Sequence, residues 1–151
     1  MIFRFFFLLV LIGAAKAEIP LAERRSGYEF MGRETRAMQD DDATSQAVLW
    51  LLEGESLWGR KAGGEAGKSD KSGKSCADCH GDAGNSMKGV AARYPAFDLS
   101  KDKLINLDQR INLCRSEQQK APAFPLEGRE VLALSAYVGR QSRGLPIEIL
   151  V

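Results

Sequence analysis

The sequence predicts an all-α domain, on three observations. Apolar residues recur at helical spacing in separate stretches, Gly-, Ser- and Pro-rich segments divide those stretches, and no alternating apolar–polar run marks a strand. The chain has 151 residues, a one-domain length with room for a small appendage.

Taken in order, the chain opens with Met1-Ile-Phe-Arg4, an apolar run from Phe5 to Ile12, and Gly13-Ala-Ala-Lys-Ala17. A basic start, a short apolar stretch and an Ala-x-Ala ending predict a cleaved secretory signal peptide over residues 1–17. That run is too short for a permanent span and nothing later is apolar enough, so no membrane span is expected. Residues 18–43 are polar and mixed and read as an extended arm, with a short helix near Thr35–Gln39. Thr44 or Ser45 is positioned to cap a helix carrying Val48, Leu49, Leu52 and Leu57 and ending near Gly59. Gly63 to Ser75 is rich in Gly, Ser and Lys and predicts a mobile loop. Asn106-Leu-Asp-Gln109 has the form of a capping box, opening a helix through Ile111, Leu113 and Cys114 to about Gln119. Pro122 and Pro125 break the chain. A last helix from Glu127 or Gly128 to Gln141 puts Val131, Leu134, Ser135 and Val138 on one face. The expected organisation is therefore an all-α domain over 44–142 and a short tail over 143–151.

Charge excludes one class of function. The 21 basic and 20 acidic side chains become 19 and 20 once residues 1–17, which hold Arg4 and Lys16 and no acid, are removed. Nucleic-acid binding needs a concentrated basic excess, and none is present. Export gives the three cysteines a meaning: an odd thiol in an oxidising compartment is paired with another chain, bound to a metal, or reactive.

Two of those cysteines form the segment Cys76-Ala-Asp-Cys79-His80, the C-x-x-C-H sequence for attachment of haem c. One helical turn presents both thiols to the two vinyl groups along a porphyrin edge and sets the imidazole of His80 under the iron as an axial ligand. His80 is the sole histidine, so no other imidazole competes. The haem would also supply apolar filling to a small core. Two alternatives stand beside this reading. Cys76, Cys79, His80 and Cys114 could form a Cys3His zinc site, which requires the neighbouring side chains of Cys79 and His80 to reach one tetrahedral ion. A C-x-x-C redox disulfide would normally accompany a βαβ pattern, which is missing from the sequence.

The far face of the iron needs a partner. Met87 is only seven residues past His80, a short connection for wrapping the macrocycle edge, while Met31 and Met38 lie in the upstream arm. Cys114, 34 residues beyond His80, has a comfortable reach and is also the unexplained thiol. His80/Cys114 axial ligation is therefore expected, with a thiolate favouring ferric iron and a low potential. The alternative is a buried free cysteine acting as a small hydrophobe.

Gly54 and Trp58, with Leu134 and Tyr137, resemble the residues at which first and last helices cross in c-type cytochromes, which implies a cytochrome c-like fold with near-perpendicular crossing helices and long loops around one haem. Longer segments resemble a narrower family. Arg25-Ser-Gly-Tyr-Glu-Phe-Met-Gly-Arg-Glu-Thr-Arg-Ala-Met-Gln-Asp-Asp-Asp42, Leu49-Trp50 with Glu53-Gly-Glu-Ser-Leu-Trp58, Gly73 to Asp82, Met87 to Phe97, Asn106 to Arg115 and Leu132 to Val138 are similar to the first half of SoxA, the larger subunit of SoxAX cytochromes. The resemblance implies one covalently bound haem c with His80 and Cys114 as ligands, and a periplasmic role in sulfur oxidation. It also implies a SoxX-like small cytochrome as heterodimeric partner and a sulfur-carrier protein as client. The SoxAX activity, L-cysteine S-thiosulfotransferase, conjugates thiosulfate to a carrier cysteine. The family's second haem domain and its reactive cysteine have no counterpart before Val151, so a short form without catalytic residues is expected, with an electron carrier and a redox-silent scaffold as the two roles to separate. Arg60, Lys61, Lys68, Lys71 and Lys74 near the motif are either a solvated basic loop or a steering patch for anions.

Overall fold

The computed structural model describes residues 19–20, 23, 25–43, 45–63 and 73–149. The expected signal peptide and Thr44 lie outside the described residues, as does most of the Gly/Ser/Lys loop. The chain divides into two compact units, Met1–Ala37 and Met38–Val151.

In the first unit, a 3-10 turn at Gly27–Phe30 precedes helix α1, Arg33–Asp40, which runs on across the division. Arg36 lies over the Tyr28 ring at 5.4 Å and donates to the Glu29 carbonyl, so the guanidinium ties the turn to the helix. The helix expected near Thr35–Gln39 is thus present and slightly longer.

The second unit holds helices α2 (Val48–Gly59), α3 (Cys76–His80), α4 (Ala83–Ser86), α5 (Leu107–Glu117) and α6 (Arg129–Arg140). A 3-10 turn at Ala91–Arg93 separates α4 from a hairpin of β1 (Ala96–Asp98) and β2 (Lys103–Ile105), paired antiparallel with Phe97 opposite Leu104. The hairpin corrects the expectation that no strand is present. Three residues per strand are too few for an alternating pattern to show, and the turn is organised by Asp98, whose Oδ1 accepts from the Ser100 N–H and hydroxyl and the Lys101 N–H. Lys101–Glu117 at 2.7 Å and Arg110–Asp98 at 3.7 Å fasten it to α5.

The core lies between α2 and α6, where Leu57, Trp58, Ala133, Leu134 and Val138 pack with Ala83 of α4. Gly54 makes this close approach possible, since a Cβ there would stand 2.2 Å from the Ala133 carbonyl oxygen and 2.5 Å from Tyr137 Cβ. Trp58 and Tyr137 flank the contact with ring centroids 6.1 Å apart. Gly54, Trp58, Leu134 and Tyr137 do meet at one helix crossing. The mostly helical architecture agrees with the all-α expectation.

Helix starts show which local signals prevailed. Asn106 and Gln109 form the expected reciprocal capping box at α5, at 2.8 and 2.9 Å. Gly128 precedes α6 as expected. At α2 the N-cap is Ala47 with no side-chain bond, and Ser45 instead accepts from the Ala47 N–H at 3.2 Å, so the Ser45 cap is corrected to a turn one step upstream. Ion pairs from Arg140 to Asp42, and from Arg143 to Asp40 at 2.6 Å, tie the segment before α2 to the end of α6. Among the described residues no helix is long and apolar enough to cross a membrane.

Candidate haem-binding cleft

The C-x-x-C-H segment is a single helical turn with its own start and stop signals. Ser75, 2 % exposed, accepts from the Asp78 N–H at 2.9 Å, and Asp78 accepts from the Ser75 N–H at 2.8 Å, closing a capping box at α3. Lys61 donates to the same carboxylate at 2.8 Å. This bond first, and then the Ser75 backbone and hydroxyl, lower the Asp78 carboxyl to about 2. Gly81, at φ 67°, ends the turn. The preceding chain is held close, since the Ala62 N–H donates to the Lys74 carbonyl at 3.1 Å and a Cβ on Gly73 would overlap the Ala62 carbonyl.

In this turn Cys76 and His80 are four residues apart and share a face. Both line a cleft of about 260 Å³ whose walls include Leu57, Trp58, Ile111, Phe124 and Leu134. Cys114 on α5 lines the same cleft, so residues 34 positions apart in sequence converge. Trp58 anchors the turn to the core by donating to the Gly81 carbonyl at 2.9 Å, with its ring 5.8 Å from that of His80. Burial raises the Cys76 thiol above its ordinary value; Gln119, whose amide lies 3.6 Å from Cys76 Sγ, opposes this. Cys79 is exposed on the outer side of the turn and is not among the lining residues. All three thiols are unpaired by disulfides.

The zinc alternative fares poorly. Among the described residues no three His, Cys, Asp or Glu side chains gather closely enough to hold a metal ion, so Cys76, Cys79, His80 and Cys114 do not form a Cys3His set. An imidazole and a thiol reaching a largely apolar cleft, with a second thiol from the imidazole's own helix, instead suit a haem, whose iron accepts His and Cys ligands.

Two features were not foreseen from sequence. Met87 lines the cleft despite its short separation from His80, because α4 turns the chain back at once. Met38, by contrast, is exposed and lies outside the lining, in line with its being set aside from sequence. Asn112 holds the loop over Cys114 by bonding both polar backbone groups of Phe124, at 2.8 and 3.1 Å. Arg115 adds a bond to the Pro122 carbonyl at 2.6 Å and lies over the Phe124 ring at 3.9 Å. Nothing within α5 signals this hold; the sequence offers only the prolines that bound the loop, Pro122 and Pro125.

Comparison with known proteins places this geometry. The family model described as "SoxA/TsdA, cytochrome c domain" matches residues 53–147. The SoxA subunit of L-cysteine S-thiosulfotransferase from Rhodovulum sulfidophilum is 33% identical over 129 residues, covering 85% of this chain and 42% of that protein. Its counterpart from Pseudaminobacter salicylatoxidans is 33% identical over 141 residues, covering 93% and 47%. The chain thus spans just under half the length of these relatives. The crystal structure of SoxXA from P. pantotrophus superposes with a TM-score of 0.67 at 26% identity, covering 83% of this chain and 45% of that one. A match over most of the sequence and a shared helical architecture lead to one conclusion: the chain belongs to the SoxA/TsdA cytochrome c domain family.

Proposed function

We propose that this chain is a periplasmic, SoxA-like c-type cytochrome that passes single electrons in thiosulfate oxidation, with residues 44–142 as its haem-binding domain. Cys76 and Cys79 would anchor one haem c covalently, and His80 and Cys114 would hold its iron. The observation that carries the reading is the convergence of Cys76, His80 and Cys114 on one cleft. When bound, the haem supplies a one-electron couple. The protein's own residues supply the rest: the Ser75–Asp78 box holds the two thiols on one turn, and Trp58 fixes that turn to the core. Asn112 and Arg115 hold the Phe124 loop beside Cys114, and Leu57, Ile111, Phe124 and Leu134 give the site an apolar side. A cleaved leader over residues 1–17 directs export. The SoxXA structural neighbour supports a SoxX-like small cytochrome as partner, and a sulfur-carrier protein is the proposed client. No residue of this chain is assigned to thiosulfate conjugation itself.

Protein purified from a host that matures c-type cytochromes should give one haem per chain in a pyridine haemochrome assay and stain for haem on a denaturing gel. C76S/C79S should lose the stain. A colourless wild type would end the proposal. Reduction kinetics with the partner cytochrome then separate carrier from scaffold, since a scaffold binds the partner without electron exchange. A second reading has Met87 as the distal ligand in place of Cys114, favoured by its place in the cleft wall.

A further inference from the structure

The cleft has a cationic side that haem attachment leaves without a task. Arg60, the C-cap residue of α2, and Arg115 of α5 both line it. Lys61 lines it too, but its ammonium is committed to Asp78. The Arg115 guanidinium is held in place: Nε donates to the Pro122 carbonyl at 2.6 Å and its plane lies over Phe124 at 3.9 Å. That leaves the donors of its two terminal nitrogens, which meet no protein acceptor within hydrogen-bond distance among the described residues. Among the same residues no carboxylate lies within ion-pair distance of either arginine; Glu130 lines the cleft without pairing. The two charges oppose one another.

Two like charges on one wall, one of them a pre-oriented fork, cost energy that an anion placed between them removes. We propose that Arg60 and Arg115 form a binding site for a small oxyanion or carboxylate at the mouth of this cleft. Phe124 and Pro122 act as positioning groups, fixing the Arg115 plane so that little side-chain freedom is lost on binding. Arg60, on the exposed end of α2, adds the second charge on the same wall. The anion has two sources: a solute oxyanion, or a propionate of the haem itself. Only the second source rests on the haem reading.

The test uses the purified full chain with its haem. Sulfate is titrated calorimetrically at constant ionic strength, and the propionate bending band is recorded by resonance Raman, in wild type, R60Q, R115Q and the hairpin control K103Q. A solute site predicts saturable sulfate binding weakened roughly tenfold or more in R60Q and R115Q, as for loss of a charge-assisted pair, with K103Q unchanged. A propionate site predicts no saturable sulfate binding but a displaced Raman band in both arginine variants. No saturation together with an unmoved band overturns the proposal, as does an equal loss in K103Q, which would reveal diffuse charge. If R115Q fails to fold, R60Q decides, because the Arg60 side chain makes no structural bond among the described residues. Colourless protein that binds sulfate with this arginine dependence would keep the site and end the haem reading.

Discussion

Gly54→Ala tests the helix crossing most sharply. A Cβ at this position would lie 2.2 Å from a backbone oxygen of α6 and 2.5 Å from Tyr137 Cβ, against a practical lower limit of 3.0 Å, so the helices must part by about 0.8 Å. Neither obstacle can rotate away, because one is backbone and the other is the first side-chain atom. Overpacking of this kind costs ~1–3 kcal/mol, and the upper end applies to a backbone clash. Replacing Gly by Ala inside a helix returns about 1 kcal/mol, leaving a net loss near 2 kcal/mol. Gly139→Ala is the matched control, since it lies in α6 with nothing within 4 Å of its Cβ position. That change should stabilise by up to about 1 kcal/mol. Urea unfolding followed by far-UV circular dichroism should therefore separate the two variants by roughly 3 kcal/mol, about 1.5 M in midpoint for a slope near 2 kcal/mol/M. Equal midpoints would refute the close approach of α2 and α6.

Further consequences can be measured together. Ser75→Ala removes a buried cap and should cost roughly 0.5–2 kcal/mol, read by the same unfolding assay. Asp78 is held at about 2, below its ordinary 3.8, so its contribution is fully present above pH 3.8 and is lost as pH falls through about 2. Lys61→Met removes the main cause, and a carbon-detected NMR titration should show the Asp78 carboxyl moving up toward 3.8; an unmoved value would disprove the Lys61 pairing. Asn112→Ala frees both backbone groups of Phe124 and should cost about 1–3 kcal/mol, with faster amide exchange at Phe124 than in wild type.

Much of this architecture was legible because its determinants are local. The α5 capping box is written in four consecutive residues, Asn106 to Gln109, and the C-x-x-C-H turn in five. Gly54 with Trp58 and Leu134 with Tyr137 marked the crossing through their resemblance to the crossing residues of c-type cytochromes, a likeness that pattern alone does not supply. The β1–β2 hairpin escaped because its strands are stabilised by the Asp98 turn and by ion pairs to α5, not by their own alternation. The reach argument set Met87 aside by counting residues; α4, capped by Asp82, reverses the chain within one turn and brings it to the cleft. The Asn112–Arg115 hold on the Phe124 loop depends on a return of the chain that no pattern within α5 records. Ser45 looked like a cap, but the helix begins beyond it, at Val48, with its first N–H groups bonded into the turn.

The most direct measurement compares absorption and low-temperature EPR spectra of the ferric wild type with those of C114A. Ligation by His80 and Cys114 predicts a low-spin thiolate signature in the wild type that C114A loses, with haem still attached through Cys76 and Cys79. Identical low-spin spectra in the two proteins would contradict it and turn attention to Met87.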